Sequence, residues 1–143
     1  MMRFSMGKID LVIESYYQNA DLIGTCVESL SSEYFTDQQC FQIKLSVYEA
    51  VTNCIKHSYK GSSEHKVYVS YQIETDKIIV DIADNGIAMD PQLLQDTSSY
   101  FEVDLENPQE GGMGLKIIKL SMDEISYHTK NDMNHFTLVK YIK

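Results

Sequence analysis

The longest helical pattern of the sequence contains positions 48–57, which read Tyr48-Glu49-Ala50-Val51-Thr52-Asn53-Cys54-Ile55-Lys56-His57. The pattern begins at Thr36, where a threonine followed three residues later by Gln39 is typical of a capping box, and it continues to about Ser58. Glu49 and Asn53 are four residues apart, so a helix places them on one face, one turn apart. A carboxylate beside a carboxamide oxygen is a good environment for Mg²⁺, which takes oxygen ligands and keeps several waters. The alternative is that both residues are solvated polar positions on an amphipathic helix.

A second polar segment, Asp84-Asn85-Gly86, directly follows a predicted strand over Lys77–Ala83. A carboxylate at the end of a strand can accept a hydrogen bond from an exocyclic amine. A glycine two residues later lets the chain turn sharply and approach a flat ligand closely. The alternative is an ordinary Asn-Gly turn, which is common.

A third segment is rich in glycine and reads Glu110-Gly111-Gly112-Met113-Gly114-Leu115, opening a predicted helix over Gly111–Met122. Backbone N–H groups at the start of a helix favour an anion, because the helix dipole is positive there. No Gly-Lys-Ser/Thr follows, so the segment is not a Walker loop. The alternative is a loop hinge.

The remaining patterns predict an α+β fold. Alternating apolar residues predict four further strands, at Lys8–Tyr17, His65–Ile73, Glu124–Thr129 and His135–Ile142. Apolar residues at helical spacing predict a further helix that ends at about Ser32, with Asn19 and Asp21 as its candidate caps. Residues 91–110 read as a long loop with a turn of helix near Leu93-Leu94. This order predicts a two-layer α/β sandwich, with helices on one face of a mixed, mainly antiparallel sheet, in a single domain over residues 1–143.

Charge and composition exclude several classes of function. The net charge is −9 and Arg3 is the only arginine, which argues against direct binding to nucleic acid. No apolar run approaches the roughly eighteen residues that span a bilayer, and no secretory signal begins the chain, so no membrane contact and a cytoplasmic location are expected. The cysteines Cys26, Cys40 and Cys54 form no CxxC pair, and each is expected to be a small buried residue.

In their order and context, the three segments resemble the N, G1 and G2 boxes of the ATPase superfamily that includes gyrase, mismatch-repair ATPases, chaperones and histidine kinases. Within it, the chain is similar to the small bacterial anti-sigma-factor serine kinases. That group shows Ser/Tyr-Glu-Ala-Val-Thr-Asn-x-x-x-His almost as it stands in Tyr48–His57. The resemblance covers nearly the whole chain and implies a Bergerat-type ATP-binding fold.

The resemblance also implies a role for each matching residue. Asn53 would be the Mg²⁺ ligand, and Glu49 would orient or deprotonate the attacking hydroxyl. Asp84 would accept from the adenine amino group, and Gly86 would line the pocket. Thr137 would lie near Asp84 and the adenine, with a solvent-facing strand residue as the alternative. Backbone donors to the phosphates would come from Gly112, Met113, Gly114 and Leu115. Lys56 and His57 could reach phosphate, with a polar helix end as the alternative.

The implied function is that of an ATP- and Mg²⁺-dependent serine/threonine protein kinase. Such a kinase phosphorylates a small antagonist protein, regulates a sigma factor by partner switching, and forms a homodimer through its N-terminal helix region. The alternatives are a non-catalytic ATP-binding partner-switch module, a switch kinase that binds no sigma factor, and the detached catalytic half of a histidine kinase.

Two departures from the family pattern affect this expectation. Ala88 stands where many relatives have a second glycine, which affects the shape of the adenine pocket. Residues 91–110 contain no Lys or Arg and carry Asp96, Glu102, Asp104, Glu106 and Glu110. Because phosphoryl transfer depends on positioning and charge neutralisation, an acidic lid predicts slow turnover with an ordinary magnesium requirement.

Overall fold

The structure is a computed structural model that describes residues 7–90, 92–95 and 112–143. Within these described residues, the strands and α-helices follow in the order β1 (Gly7–Glu14), α1 (Tyr17–Ser31), α2 (Asp37–Asn53), β2 (Lys66–Ile73), β3 (Lys77–Asp84), α3 (Gln92–Gln95), α4 (Gly112–Ser121), β4 (Glu124–Lys130) and β5 (Met133–Tyr141). A π-helical turn, Cys54–Ser58, extends α2. The short helix α3 confirms the turn predicted near Leu93-Leu94; the rest of the predicted loop lies outside the described residues.

The five strands form one sheet in the order β1-β2-β3-β5-β4, and every neighbouring pair is antiparallel. Helix α2 packs between α1 and α4. The predicted α+β class is therefore confirmed, with a sheet that is wholly antiparallel in the described part of the chain. None of the helices described there is both long enough and apolar enough to cross a bilayer.

The core lies between the helices and one face of the sheet. Val47, Val51 and Ile55 of the α2 region are fully buried, as are Val69 and Val80 of the central strands. Burying each such side chain stabilises the fold by about 1.5–3 kcal/mol. Alternation along the strands gives every second residue to this inner face, and the residues of the outer face on the central strands are mostly half-buried.

The start of α2 follows the sequence prediction. Thr36 accepts a hydrogen bond from the Gln39 backbone at 3.2 Å, and the Gln39 side chain accepts from the Thr36 backbone at 3.0 Å, which confirms the capping box. The predicted caps of α1 were wrong. The helix begins at Tyr17, and the Asn19 side chain instead donates to the Glu14 carbonyl at 2.9 Å, because the connection from β1 is short.

The last hairpin is tighter than its sequence pattern suggested. Lys130 pairs with Met133, so the loop is only Asn131-Asp132. Both loop residues have positive φ, 54° and 65°, as in a type I′ turn, which suits the twist of paired strands. Strand β5 therefore starts at Met133 and not at His135, so Asn134 is part of the sheet.

The three cysteines differ in exposure. Cys40 and Cys54 are buried as predicted, whereas Cys26 is exposed on α1, so the prediction was wrong for that residue. None of the three forms a disulfide.

Candidate nucleotide site

Asp84 ends β3 at the inner face of the sheet and is almost completely buried, with 2% of its surface exposed. Its Oδ1 accepts from the Gly86 backbone N–H at 2.9 Å and from the Asn134 amide at 2.9 Å. The thiol of Cys54 lies beneath it, and burial together with the neighbouring Asp84 carboxylate raises the pKa of that thiol well above its usual value. A buried carboxylate with fixed donors on one oxygen is a rigid acceptor for a ligand.

Gly86 packs directly against the end of the π-helical turn. A Cβ on this residue would lie 2.3 Å from the Ser58 carbonyl oxygen and 2.9 Å from Cδ1 of Tyr59. The Ile87 N–H donates to the same Ser58 carbonyl at 2.9 Å. Only glycine allows the turn after β3 to lie this close to the extension of α2, so the second segment contacts the first.

Tyr59 also holds the turn after β3 in place, through the contacts of its hydroxyl with Asn85. Its hydroxyl lies 2.5 Å from the Lys66 carbonyl oxygen and 2.9 Å from Oδ1 of Asn85, and it accepts from the Asn85 N–H at 3.1 Å. Burial raises the pKa of Tyr59 to about 12, so the hydroxyl stays protonated and available for these bonds. The Tyr59 ring stacks on His65, with 4.4 Å between centroids.

Glu49 lies on the face of α2 that meets the start of α4. A Cβ on Gly114 would lie only 2.6 Å from Oε1 of Glu49, so the glycine is in contact with the carboxylate. Burial raises the pKa of Glu49, and the nearby Lys56 ammonium opposes that effect. The first segment thereby meets the third, with a partly desolvated carboxylate at the junction.

The N-terminus of α4 carries the predicted phosphate-binding residues. Gly112 begins the helix, Met113 is half-buried and Leu115 is buried in the core. The first turn contains no acidic side chain, so its N–H groups and the helix dipole favour an anion. Gly111 and Glu110 lie outside the described residues.

Asn53 is the last residue of α2 and is half-buried, one helical turn beyond Glu49 as the spacing predicted. No group of three or more His, Cys, Asp or Glu side chains over residues 7–90, 92–95 and 112–143 could hold a metal ion. A single carboxamide ligand is nonetheless compatible with Mg²⁺, because this ion keeps several waters and is often held by few protein ligands together with the phosphates of a nucleotide. Lys56 is half-buried and His57 exposed, both within the π-helical turn.

The predicted position of Thr137 near Asp84 was wrong. Thr137 pairs with Asp81 in the sheet and donates to its carboxylate at 2.7 Å on the outer face. Asp81 and Asp84 are three residues apart on one strand, so their side chains point to opposite faces. Asn134 is the residue that lies opposite Asp84 and contacts it.

Sequence reasoning missed Asn134, Tyr59 and Cys54 as members of this site. The signal for Asn134 was the Asn-Asp pair before it, which favours a two-residue turn and hence an earlier start for β5. The signal for Cys54 was its position five residues after Glu49, which places it near the sheet-facing side of the helix. No local pattern pointed to Tyr59.

The arrangement fits an adenosine nucleotide. A rigid buried acceptor stands at Asp84, a close-packed glycine turn lies beside it, and a helix N-terminus lies against the Glu49 carboxylate. A methyl group at either Gly86 or Gly114 would intrude on these contacts. Binding ATP requires an acceptor that can recognise the base and donors that can hold the phosphates, and a buried carboxylate and a helix N-terminus are groups of these two kinds.

A model of the histidine kinase-like ATPase domain matches residues 17–140. The match spans most of the chain, and the chain belongs to the histidine kinase-like ATPase domain family. This confirms the family predicted from the three segments.

Several bacterial proteins named serine-protein kinase RsbW are similar to the chain. Identity is 32% over 110 residues with the protein of Listeria innocua serovar 6a, covering 76% of this chain and 69% of the relative. The same values hold for the protein of Listeria monocytogenes serotype 4a. Identity is 35% over 104 residues with the protein of Staphylococcus epidermidis, covering 70% of this chain and 64% of the relative.

Proposed function

We propose that this chain is an ATP-dependent serine/threonine protein kinase that phosphorylates a small antagonist protein. The observation that carries the proposal is the contact between Gly114, at the start of α4, and the carboxylate of Glu49. It joins an anion-binding helix end to a candidate base. Relatives named as serine-protein kinases support the same activity.

In this proposal the nucleotide is held by residues of all three segments. Asp84 accepts from the adenine amino group and Gly86 lines the pocket. The N–H groups of the first turn of α4, from Gly112 to Leu115, donate to the phosphates. Lys56 adds a positive charge close to Glu49, and its ammonium group lowers the pKa of that carboxyl. Residues 1–143 form one ATP-binding domain.

The transfer step uses Glu49 as a positioning group and base. Glu49 accepts the proton of the substrate hydroxyl while the hydroxyl oxygen bonds to the γ-phosphorus and the bond to ADP breaks. Burial raises the pKa of Glu49, which makes the carboxylate a better proton acceptor than an exposed one. Mg²⁺ bound with the nucleotide would neutralise phosphate charge, and Asn53 is the side chain that would hold it. The acidic composition of residues 91–110 is the reason to expect slow turnover.

The wider role follows from the proposed activity. Once phosphorylated, the antagonist would dissociate from the kinase. The kinase, as a homodimer, would then bind a sigma factor. Partner switching of this kind operates in the cytoplasm, where ATP and the transcription machinery are found. A switch kinase that binds no sigma factor would use the same site and the same transfer step.

The test is to incubate the protein with γ-labelled ATP, Mg²⁺ and the candidate antagonist protein. Label should appear on a serine or threonine of the antagonist. Glu49→Gln should remove the label while nucleotide binding persists, and Asn53→Ala should abolish the magnesium-dependent part of nucleotide affinity. Glu33→Gln, an exposed residue in the turn between α1 and α2, is the matched control for the charge change.

Three results would contradict parts of the proposal. An unchanged rate in Glu49→Gln would show that Glu49 is not the base. Unaltered affinity in Asn53→Ala would remove the metal assignment. Tight ATP binding by the unmodified protein without any transfer would favour the second candidate, a non-catalytic ATP-binding module, for which the lack of Lys and Arg in residues 91–110 is the supporting observation.

A further inference from the structure

Asn134 ties two parts of the candidate adenine site together through a single amide. Its Nδ2 donates to Oδ1 of Asp84 at 2.9 Å and to the Gly86 carbonyl at 3.0 Å. Both Asn134 and Asp84 are buried, with 3% and 2% of their surfaces exposed. The amide thus links the end of β3 to the turn that follows it, from the neighbouring strand β5.

The orientation of this amide is fixed by its surroundings. The hydroxyl of Thr129, its partner across the β4–β5 hairpin, donates to Oδ1 of Asn134 at 2.9 Å. A flipped amide would place its oxygen against the Asp84 carboxylate and the Gly86 carbonyl, where three oxygen acceptors would face each other without a proton. Only one orientation satisfies every group, so the amide is a directed donor toward Asp84.

Two donors converge on a single oxygen of Asp84. The Gly86 N–H and the Asn134 amide both donate to Oδ1, and together they hold the carboxylate in one orientation. Charge-assisted bonds of this kind are shorter and stronger than those between neutral groups. Removing the Asn134 amide would leave Oδ1 with the Gly86 N–H alone, which loosens the orientation of the carboxylate, and would break the tie between the Gly86 turn and β5.

We propose that Asn134 is a positioning residue that sets the preference of the site for a 6-aminopurine. It acts through Asp84, by presenting Oδ2 to the exocyclic amino group and holding the Gly86 turn at the right distance. The inference rests on the proposed function, since it takes Asp84 as the acceptor for adenine. Asn134 itself need not touch the base.

The test compares the affinity of the full chain for ATP and for purine riboside triphosphate, which lacks the 6-amino group. The unmodified protein should prefer ATP. Asn134→Ala should lower the affinity for ATP about tenfold or more and the affinity for the analogue much less, so the preference is reduced. A purely structural role would weaken both nucleotides by the same factor. Equal weakening, or no change in either affinity, would overturn the inference.

A second variant keeps the test decisive if Asn134→Ala does not fold. Thr129→Val retains the amide but removes the donor that orients it, and a severalfold reduction in the preference for ATP is expected. Ser126→Ala, which removes a hydroxyl from the exposed outer face of the same strand, is the matched control. An unchanged preference in Thr129→Val would overturn the inference.

Asp84→Asn separates this inference from the proposed function. Loss of ATP binding in Asp84→Asn together with an unchanged preference in Asn134→Ala would refute the role of Asn134 and leave the adenine site intact. Unaltered ATP binding in Asp84→Asn would refute the adenine site itself.

Discussion

Replacing Gly114 with alanine separates nucleotide binding from phosphoryl transfer. The added Cβ would lie 2.6 Å from Oε1 of Glu49, 3.5 Å from its Cδ and 3.6 Å from its Cβ. Only the first distance is a clash, and the atom concerned is the far end of a flexible side chain. The substitution therefore moves the carboxylate and leaves the backbone in place.

The size of the movement follows from the contact distance. An ordinary carbon–oxygen contact is about 3.4 Å, so the Glu49 oxygen must retreat by about 0.8 Å. Displacing a catalytic group by about 1 Å costs on the order of a hundredfold in rate. Alanine is also up to about 1 kcal/mol better than glycine inside a helix, which offsets the strain of the displaced side chain. Folding stability should therefore change little.

Gly114→Ala should thus transfer phosphate on the order of a hundredfold more slowly while binding ATP nearly as well, because the N–H groups of α4 remain. The assay is single-turnover transfer from γ-labelled ATP to the antagonist, with nucleotide affinity measured by calorimetry on the same sample. A transfer rate equal to that of the unmodified protein would refute the view that the Gly114–Glu49 contact positions the base. A parallel loss of affinity and rate would show that the helix end, and not the carboxylate, was disturbed.

Three further predictions concern folding stability, measured by chemical denaturation. Gly86→Ala should destabilise the fold by about 2 kcal/mol or more, because its Cβ meets the Ser58 backbone at 2.3 Å; a change below about 0.5 kcal/mol would contradict the close packing of this turn. Glu49→Gln should be more stable than the unmodified protein at pH 7, since burial raises the folded-state pKa of Glu49 and its ionised form destabilises the fold. That advantage should shrink as the pH falls through the raised folded-state pKa of Glu49 and should vanish below about 4, where Glu49 is largely protonated in both states; a constant difference between pH 7 and pH 4 would disprove the assignment. Ser46→Ala should be neutral or stabilising by up to about 1 kcal/mol, because the buried Ser46 hydroxyl has no hydrogen-bond partner among the described residues; a loss above about 1 kcal/mol would reveal one.

Much of the fold could be predicted from local patterns. The capping box at Thr36, the alternation in β2 and β3 and the glycine-led helix α4 depend on interactions within a few residues, and each was found close to its predicted position. The contact between Glu49 and Gly114 could not be read from either segment. It depends on how α2 and α4 pack, which local spacing does not determine.

Thr137 was predicted to lie near Asp84, but Asn134 lies there, because the register of β5 against β3 depends on the length of the preceding turn. The turn at Asn131-Asp132 has only two residues, both with positive φ, and this decides which residue of β5 lies opposite Asp84. Assigning the turn five residues, from Lys130 to Asn134, removed Asn134 from the strand. Three positions further along β5, Thr137 faces the other side of the sheet, because side chains alternate with a period of two.

The central claim is that three separate segments form one ATP site, and amide chemical shifts on titration with Mg²⁺ and ATP test it most directly. Saturable shifts with a common dissociation constant are expected at Asn53, at Gly86 and at Gly112–Gly114. The outer-face residue Thr137 should not respond. Shifts confined to one segment, or different dissociation constants for the three, would contradict a single site.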